Sequence, residues 1–286
     1  MFFSKGAFFM ILSAGSFCMM TVFVKLAGDS LPTIQIVFVR GLFTLLITGF
    51  FLLKAKINPL GKNKRLLMAR GLSGTIALFL VYESIQRFPL SEATVIQYLY
   101  PLFTAMIAAA LISETVDRNI LIGLFAGFFG VYAILGFPSL SIDYLYIESL
   151  AIAVFGSFLT GLAYVLVRKA TSLNEHPLVV MFYFPFFTVP ICLPFLFSVW
   201  EDPSLLDWYY LFFVGLFTQF GQLFLTYGYK ELTATQAAPI SYIQVFFATI
   251  IGIVFFDEQL TFNFLIGSIM VLFSIILVMS NGTKKD

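Results

Sequence analysis

About ten apolar runs, each roughly 20 residues long, follow one another along the chain, and that is the length a helix needs to cross a hydrocarbon core about 30 Å thick. They fall at about 6–26, 34–53, 66–86, 91–112, 119–137, 147–168, 178–199, 207–229, 234–256 and 261–280. None shows the strict two-residue alternation of a membrane strand, and a segment in lipid must satisfy its own backbone, so the runs predict helices. The fold class expected is an all-α membrane protein with ten transmembrane helices. Composition agrees, since 60% of residues are apolar and 11% charged, whereas a soluble domain carries about 25% charge. The connections are too short for an extramembrane domain, so the chemistry must lie within the bilayer.

Lys5 followed by an apolar stretch resembles a secretory signal, but the stretch continues to Val24 without a small-residue cleavage site, so a first membrane helix is expected. Basic residues cluster on alternate connections: Lys54, Lys56, Lys62, Lys64 and Arg65 between spans 2 and 3, then Arg118, Arg168, Lys169 and Lys230. By the positive-inside rule this predicts both termini in the cytoplasm. A net charge of +1 offers no basic surface for nucleic acid. Cys18 and Cys192 both sit inside apolar runs and read as small core residues. Neither a metal nor a cofactor is expected.

The strongest organising signal is an internal repeat at an offset of 144 residues. It places Ala93 on Ala237, Ile96 on Ile240, Tyr98 on Tyr242, Phe103 on Phe247, Glu114 on Glu258, Asn119 on Asn263 and Gly123 on Gly267. With a gap, Gly15, Ser16 and Phe17 align with Gly156, Ser157 and Phe158. The polar matches carry the weight, because chance similarity between apolar helices is common. Two repeats of five spans, residues 1–140 and 141–286, imply an inverted pair, because an odd number of crossings reverses the second copy. Such pairs build secondary transporters that expose a midplane site to each side in turn.

These residues resemble the drug/metabolite transporter superfamily, in its ten-helix EamA-type branch. The motif occurs twice, as PLSEATVIQYLYPLFTAMIAAALISETVDRNILIG (Pro89 to Gly123) and as LTATQAAPISYIQVFFATIIGIVFFDEQLTFNFLIG (Leu232 to Gly267). The second copy keeps Glu258 and Gly267 but has Val245 opposite the mid-helix Pro101, with Pro239 nearer the start of its span. The resemblance covers essentially the whole chain and implies a transporter whose site is walled by spans 1, 3, 4, 6, 8 and 9. Glu114 and Glu258 match the family's glutamate after the fourth and ninth helices, where a structural role is expected, accepting from backbone N–H groups at the following helix start. The run from Arg70 to Thr104 is similar to the S-adenosylmethionine-type members.

Polar residues inside spans are costly and mark candidate substrate contacts. Span 4 carries Gln97, Tyr100 and Thr104 at helical spacing, and span 9 carries Ser241 and Gln244 at the repeat-related positions. Span 6 adds Thr160 and Tyr164, span 8 adds Gln219, Gln222 and Thr226, and Tyr82 of span 3 completes the candidate set. A competing reading makes the small hydroxyl residues interhelical glue. Arg40 lies about 9 Å into span 2 and Glu83 about 5 Å into span 3 from the same side, counting about 1.5 Å per residue. They are expected to pair, to engage a substrate charge for gating or coupling, or to snorkel to the headgroups. Arg70 is read as a snorkelling anchor and His176 as a solvated loop residue. Gly74, Pro101, Gly215 and Pro239 are candidate flex points.

The reading from sequence is therefore a secondary transporter of a small organic metabolite, amino-acid-like or nucleoside-like, working as a monomer or homodimer among membrane lipids. An uptake or exchange carrier for S-adenosylmethionine is the alternative within the family. A membrane-embedded enzyme or a channel is the alternative outside it, disfavoured by one loop histidine, no intramembrane aspartate pair and no filter motif.

Overall fold

A computed structural model describes residues 4–88, 90–137, 144–255 and 261–282. Among them there is no strand, and the helices are α1 (Lys5–Ala27), α2 (Thr33–Lys54), α3 (Lys64–Arg87), α4 (Leu90–Gln97), α5 (Tyr100–Ile112), α6 (Arg118–Ile134), α7 (Tyr144–Ser172), α8 (Pro177–Val199), α9 (Leu205–Glu231), α10 (Ala234–Ile240), α11 (Ile243–Phe255) and α12 (Phe262–Gly282). Nine stretches of the described residues are long and apolar enough to cross a membrane, with α4–α5 and α10–α11 each making one. The tenth, α6, is shorter, with 17 residues, or about 26 Å at 1.5 Å per residue. Gly136, at φ 81°, turns the chain just beyond it.

The expected continuous spans 4 and 9 are each two helices. In the first, Pro101 lies in the opening turn of α5, where it has no N–H to offer the carbonyl of Gln97. That carbonyl is taken up by Ser157 of α7, whose Oγ donates to it at 2.9 Å. In the second, Pro239 is the penultimate residue of α10, and the chain restarts at Ile243. The two breaks fall at nearly the same place in the repeat.

Packing comes in pairs that exchange the halves. α1 lies along α9 as α3 lies along α7; α5 packs on α7 as α11 packs on α1; α3 meets α8 as α2 meets α9. α2 with α8 and α6 with α12 are their own counterparts. The α6–α12 crossing is close because Gly130 and Gly267 face each other, a Cβ at Gly130 falling 2.8 Å from the carbonyl oxygen of Gly267.

Polar ties hold the ends of the bundle. Beside the lysine-rich connections, the buried carboxylate of Glu175 accepts from the backbone N–H of Lys62 at 2.9 Å and from Asn63 Nδ2 at 3.0 Å. His176 is half-buried and caps α8, its Nδ1 accepting from Leu178 N at 3.3 Å. Burial and the nearby Lys230 hold its pKa below the usual value. It is thus a helix cap, where a freely solvated residue was expected. At the opposite end, Gln35 of α2 makes two bonds to the backbone of Glu201, and Asp207 joins Ser204 in a capping box at the start of α9. Trp200, Trp208 and Tyr209 are exposed there, where an interfacial belt sits.

Candidate functional site

A narrow cleft lies between the helices, lined by Met10, Ser13, Ala14 and Phe17 of α1, Tyr100 of α5, Tyr164 of α7, Leu225 of α9, Ser241 at the α10–α11 break, and Gln244 of α11. Both halves contribute to it. In this conformation it admits little more than a single water.

Around this cleft five tyrosines form a continuous ladder. Tyr242 faces Tyr98 with ring centroids 6.1 Å apart, Tyr98 faces Tyr100 at 5.9 Å, Tyr100 meets Tyr164 edge-on at 5.4 Å, and Tyr164 meets Tyr229 at 5.5 Å. All are within the range of favourable aromatic pairs. Tyr98 and Tyr242 are repeat-related and stand at the two helix breaks, so their contact joins equivalent points of the two halves. The hydroxyl groups of Tyr229 and Tyr242 are buried without a hydrogen-bond partner. In the sequence, the repeat could have singled out Tyr98 and Tyr242, but nothing marked Tyr229.

Four of the candidate substrate contacts, Tyr100, Tyr164, Ser241 and Gln244, line the central cleft. The others do not. Thr104, Thr160 and Thr226 return their hydroxyls to carbonyls one turn earlier in their own helices, those of Tyr100, Gly156 and Gln222. Gln219 is buried against α2, where its amide and the Thr48 hydroxyl lie 3.2 Å apart. Gln97 enters through its backbone carbonyl, the acceptor for Ser157. Gln222 and Tyr82 are half-buried away from the lining. Span 1, expected as a wall, contributes Met10, Ser13, Ala14 and Phe17, none of which was among the expected individual contacts. Span 3, expected as a wall, contributes no lining residue.

Arg40 and Glu83 do not pair. Glu83 is engaged by Arg87 one helical turn away, at 2.8 Å, and Arg87 also reaches Glu148 at 3.4 Å. Proximity on one helix face decides this in favour of Arg87. Arg40 is buried, with Nη1 3.6 Å from Met20 Sδ, and lines a second narrow cleft with Thr44, Thr188 and Thr218. Arg70, expected to snorkel, is 3% exposed and lies over the Phe184 ring at 5.3 Å. Gly74 and Gly215 are sites of close packing where flexing was expected: Gly74 leaves room for the Arg70 guanidinium, and a Cβ on Gly215 would lie 2.5 Å from Phe43 Cγ.

Glu114 follows Ser113, whose left-handed φ of 54° closes α5. Its carboxylate accepts from Arg168 Nε at 3.1 Å and from the backbone N–H of Thr235 at 3.2 Å. The helix start it serves is therefore that of α10 in the other half, and not that of α6, which follows it. Glu258 lies outside the described residues.

These features define a multi-pass integral membrane protein with a narrow polar and aromatic cleft between two halves of matching architecture. The EamA-like transporter family matches residues 4–136 and again 148–280, and the chain belongs to that family. Its members are transporters and not enzymes, and they belong to the drug/metabolite transporter superfamily. The chain is similar to a protein named pseudopaline exporter CntI of Pseudomonas aeruginosa, 26% identical over 283 residues, covering 98% of this chain and 97% of that one. It is 28% identical over 286 residues to solute carrier family 35 member G1 of Homo sapiens, covering 94% and 77%. An S-adenosylmethionine uptake transporter of Rickettsia prowazekii is 22% identical over 259 residues, covering 89% and 85%. A crystal structure with 15% sequence identity superimposes with a TM-score of 0.82 over 98% of both chains, a likeness of fold.

Proposed function

We propose that this chain is a secondary active transporter that moves a small organic metabolite, zwitterionic or planar and amino-acid-like or nucleoside-like, by alternating access. The observation that carries the reading is the central cleft, drawn from α1, α5, α7, α9 and the α10–α11 break, where both halves meet around the Tyr98–Tyr242 contact. Two tyrosines, two serines and one amide, with no charged side chain in the lining, suit a polar organic body better than a bare inorganic ion. The cleft is too tight for such a body, so loading requires the helices to part. Rocking of two inverted repeats, residues 1–140 and 141–286, with both termini in the cytoplasm, would open it to one side and then the other. The exchange of packing partners between halves supports that mechanism, and the bacterial relatives support an inner-membrane location.

A carrier for S-adenosylmethionine is the second reading, favoured by the Rickettsia prowazekii relative. Counterflow in proteoliposomes tests both, using a panel of amino acids, nucleosides, riboflavin and S-adenosylmethionine. Saturable counterflow that falls in Gln244→Ala and Tyr100→Phe supports a transporter with its site in the cleft. Saturable counterflow that survives both changes moves the site elsewhere, and flux that never saturates favours a channel.

A further inference from the structure

Among the described residues, Arg70 is a buried cation without a counter-ion. It sits on the second turn of α3, is 3% exposed, and belongs to none of the ion pairs among the described residues. Its Nε has no hydrogen-bond partner, and its face is covered by the Phe184 ring. Among the described residues, the ionisable groups close enough to act on it are Tyr164 and Tyr229, and no carboxylate is among them. Arg168, the next cation along this side, is already held by Glu114 and by the carbonyls of Tyr229 and Lys230. Lipid-facing arginines snorkel. This one is instead buried against Phe184 of α8, where an unneutralised guanidinium is strongly unfavourable.

Tyr229 supplies a second idle donor. Its hydroxyl is buried without a partner, and its ring continues the ladder to Tyr164, which also lines the central cleft. Tyr164 is therefore the shared wall between the cleft and the guanidinium. A carboxylate offers two oxygens in one plane, suited to a planar guanidinium edge and a phenol together. One free cation matches a single negative charge, and the surrounding rings match a flat organic body. A phosphate dianion would require a second free cation beside it, and Arg40, the other buried arginine outside the ion pairs of the described residues, lines a different cleft.

Resting on the transport reading above, we propose that the transported metabolite carries a carboxylate, and that Arg70 with Tyr229 binds it once Tyr164 yields. The ligand class is a monocarboxylate or zwitterionic acid with a planar or compact body.

The test uses the full-length protein in proteoliposomes with paired probes: benzoate and benzamide, nicotinate and nicotinamide, L-phenylalanine and L-phenylalaninamide. Flux confined to the carboxylate member of a pair is expected, with apparent affinity falling roughly ten- to a hundred-fold in Arg70→Gln, the equivalent of one charge-assisted hydrogen bond, and less in Arg70→Lys. Equal flux of acid and amide, or an unaltered Arg70→Gln, overturns the proposal and leaves the transporter reading standing. Wild type moving none of the probes counts against the transport reading, and thermal melting of the purified protein then reads the anion site alone. A rise in melting temperature with benzoate, absent with benzamide and inorganic phosphate and lost in Arg70→Gln, supports the site. The same rise with all three probes, no rise with any, or one that persists in Arg70→Gln overturns it. Because Arg70→Gln removes a buried charge, it is expected to melt no lower than wild type without ligand. A much lower melting point would mark the arginine as structural and also overturn the proposal.

Discussion

The two broken spans differ in how the same interruption is made. In α4–α5 the proline follows the break, and the carbonyl it leaves free is taken by Ser157 of the neighbouring helix at 2.9 Å. In α10–α11 the proline precedes the break, and Ser16, the repeat counterpart of Ser157, returns its hydroxyl to Leu12 of its own helix at 2.8 Å. Equivalent geometry is thus tethered from outside in one half and left to local turns in the other. What the repeat preserves is the place of the break and the tyrosine standing at it. The means of satisfying the backbone is free to diverge, because any donor within reach serves.

The largest effect is expected where the two broken spans are fastened together. Glu114→Ala removes a mostly buried acceptor from Arg168 and from the start of α10, and is expected to lower stability by about 2–3 kcal/mol, the range for lost hydrogen bonds to a charged group. Thermal melting in detergent reads it, and Glu114→Gln is expected to recover part of the loss. A wild-type melting point for Glu114→Ala would mean the spans are not joined there.

The serine pair sharpens the comparison directly. Ser157→Ala leaves the Gln97 carbonyl unsatisfied and is expected to cost about 1–2 kcal/mol. Ser16→Ala should stay within about 0.5 kcal/mol of wild type. In a Pro101→Ala background the restored N–H can reach Gln97, so the Ser157→Ala loss should shrink. An unchanged loss in the double variant would detach the tether from the proline.

The smallest effect reverses sign between halves. Gly156 in α7 would place a Cβ 3.0 Å from Leu80 Cβ, while Gly15, its counterpart in α1, meets nothing closer than a Phe247 ring carbon at 3.8 Å. Gly156→Ala is expected to destabilise by about 1 kcal/mol, and Gly15→Ala to stabilise by up to about 1 kcal/mol through helix propensity. Melting temperatures that move in the same direction would show the two flanking helices to be packed alike.

Much of the frame was legible in the sequence because lipid imposes a simple rule: a helix needs a long apolar run, and loops gather the charge. The helix positions followed from that rule, and so did the repeat-related polar positions Tyr100, Ser241 and Gln244. The breaks at residues 98–99 and 241–242 were less visible, since hydropathy averages over them. Pro101 marked one of them, and Pro239 marked the other only by its nearness. The charges were hardest to place. Depth along a helix does not reveal which face a side chain takes, so Arg70 read as an anchor although it is buried against Phe184 of α8, and Glu83 read as a partner for Arg40 although Arg87 lay one turn away. Hydroxyls such as Thr104 and Thr226 form the polar stripe read from the sequence, and in this structure each donates to a carbonyl one turn back, the nearest acceptor inside a helix.

The central claim is that the cleft between the broken spans opens to each side of the membrane in turn. It is tested most directly by placing one cysteine at Ser241, with Cys18 and Cys192 replaced, and labelling it with a membrane-impermeant thiol reagent from each side separately. Alternating access predicts labelling from both sides, with a transported probe shifting the balance between them. Labelling from one side alone, unchanged by any transported compound, would contradict it.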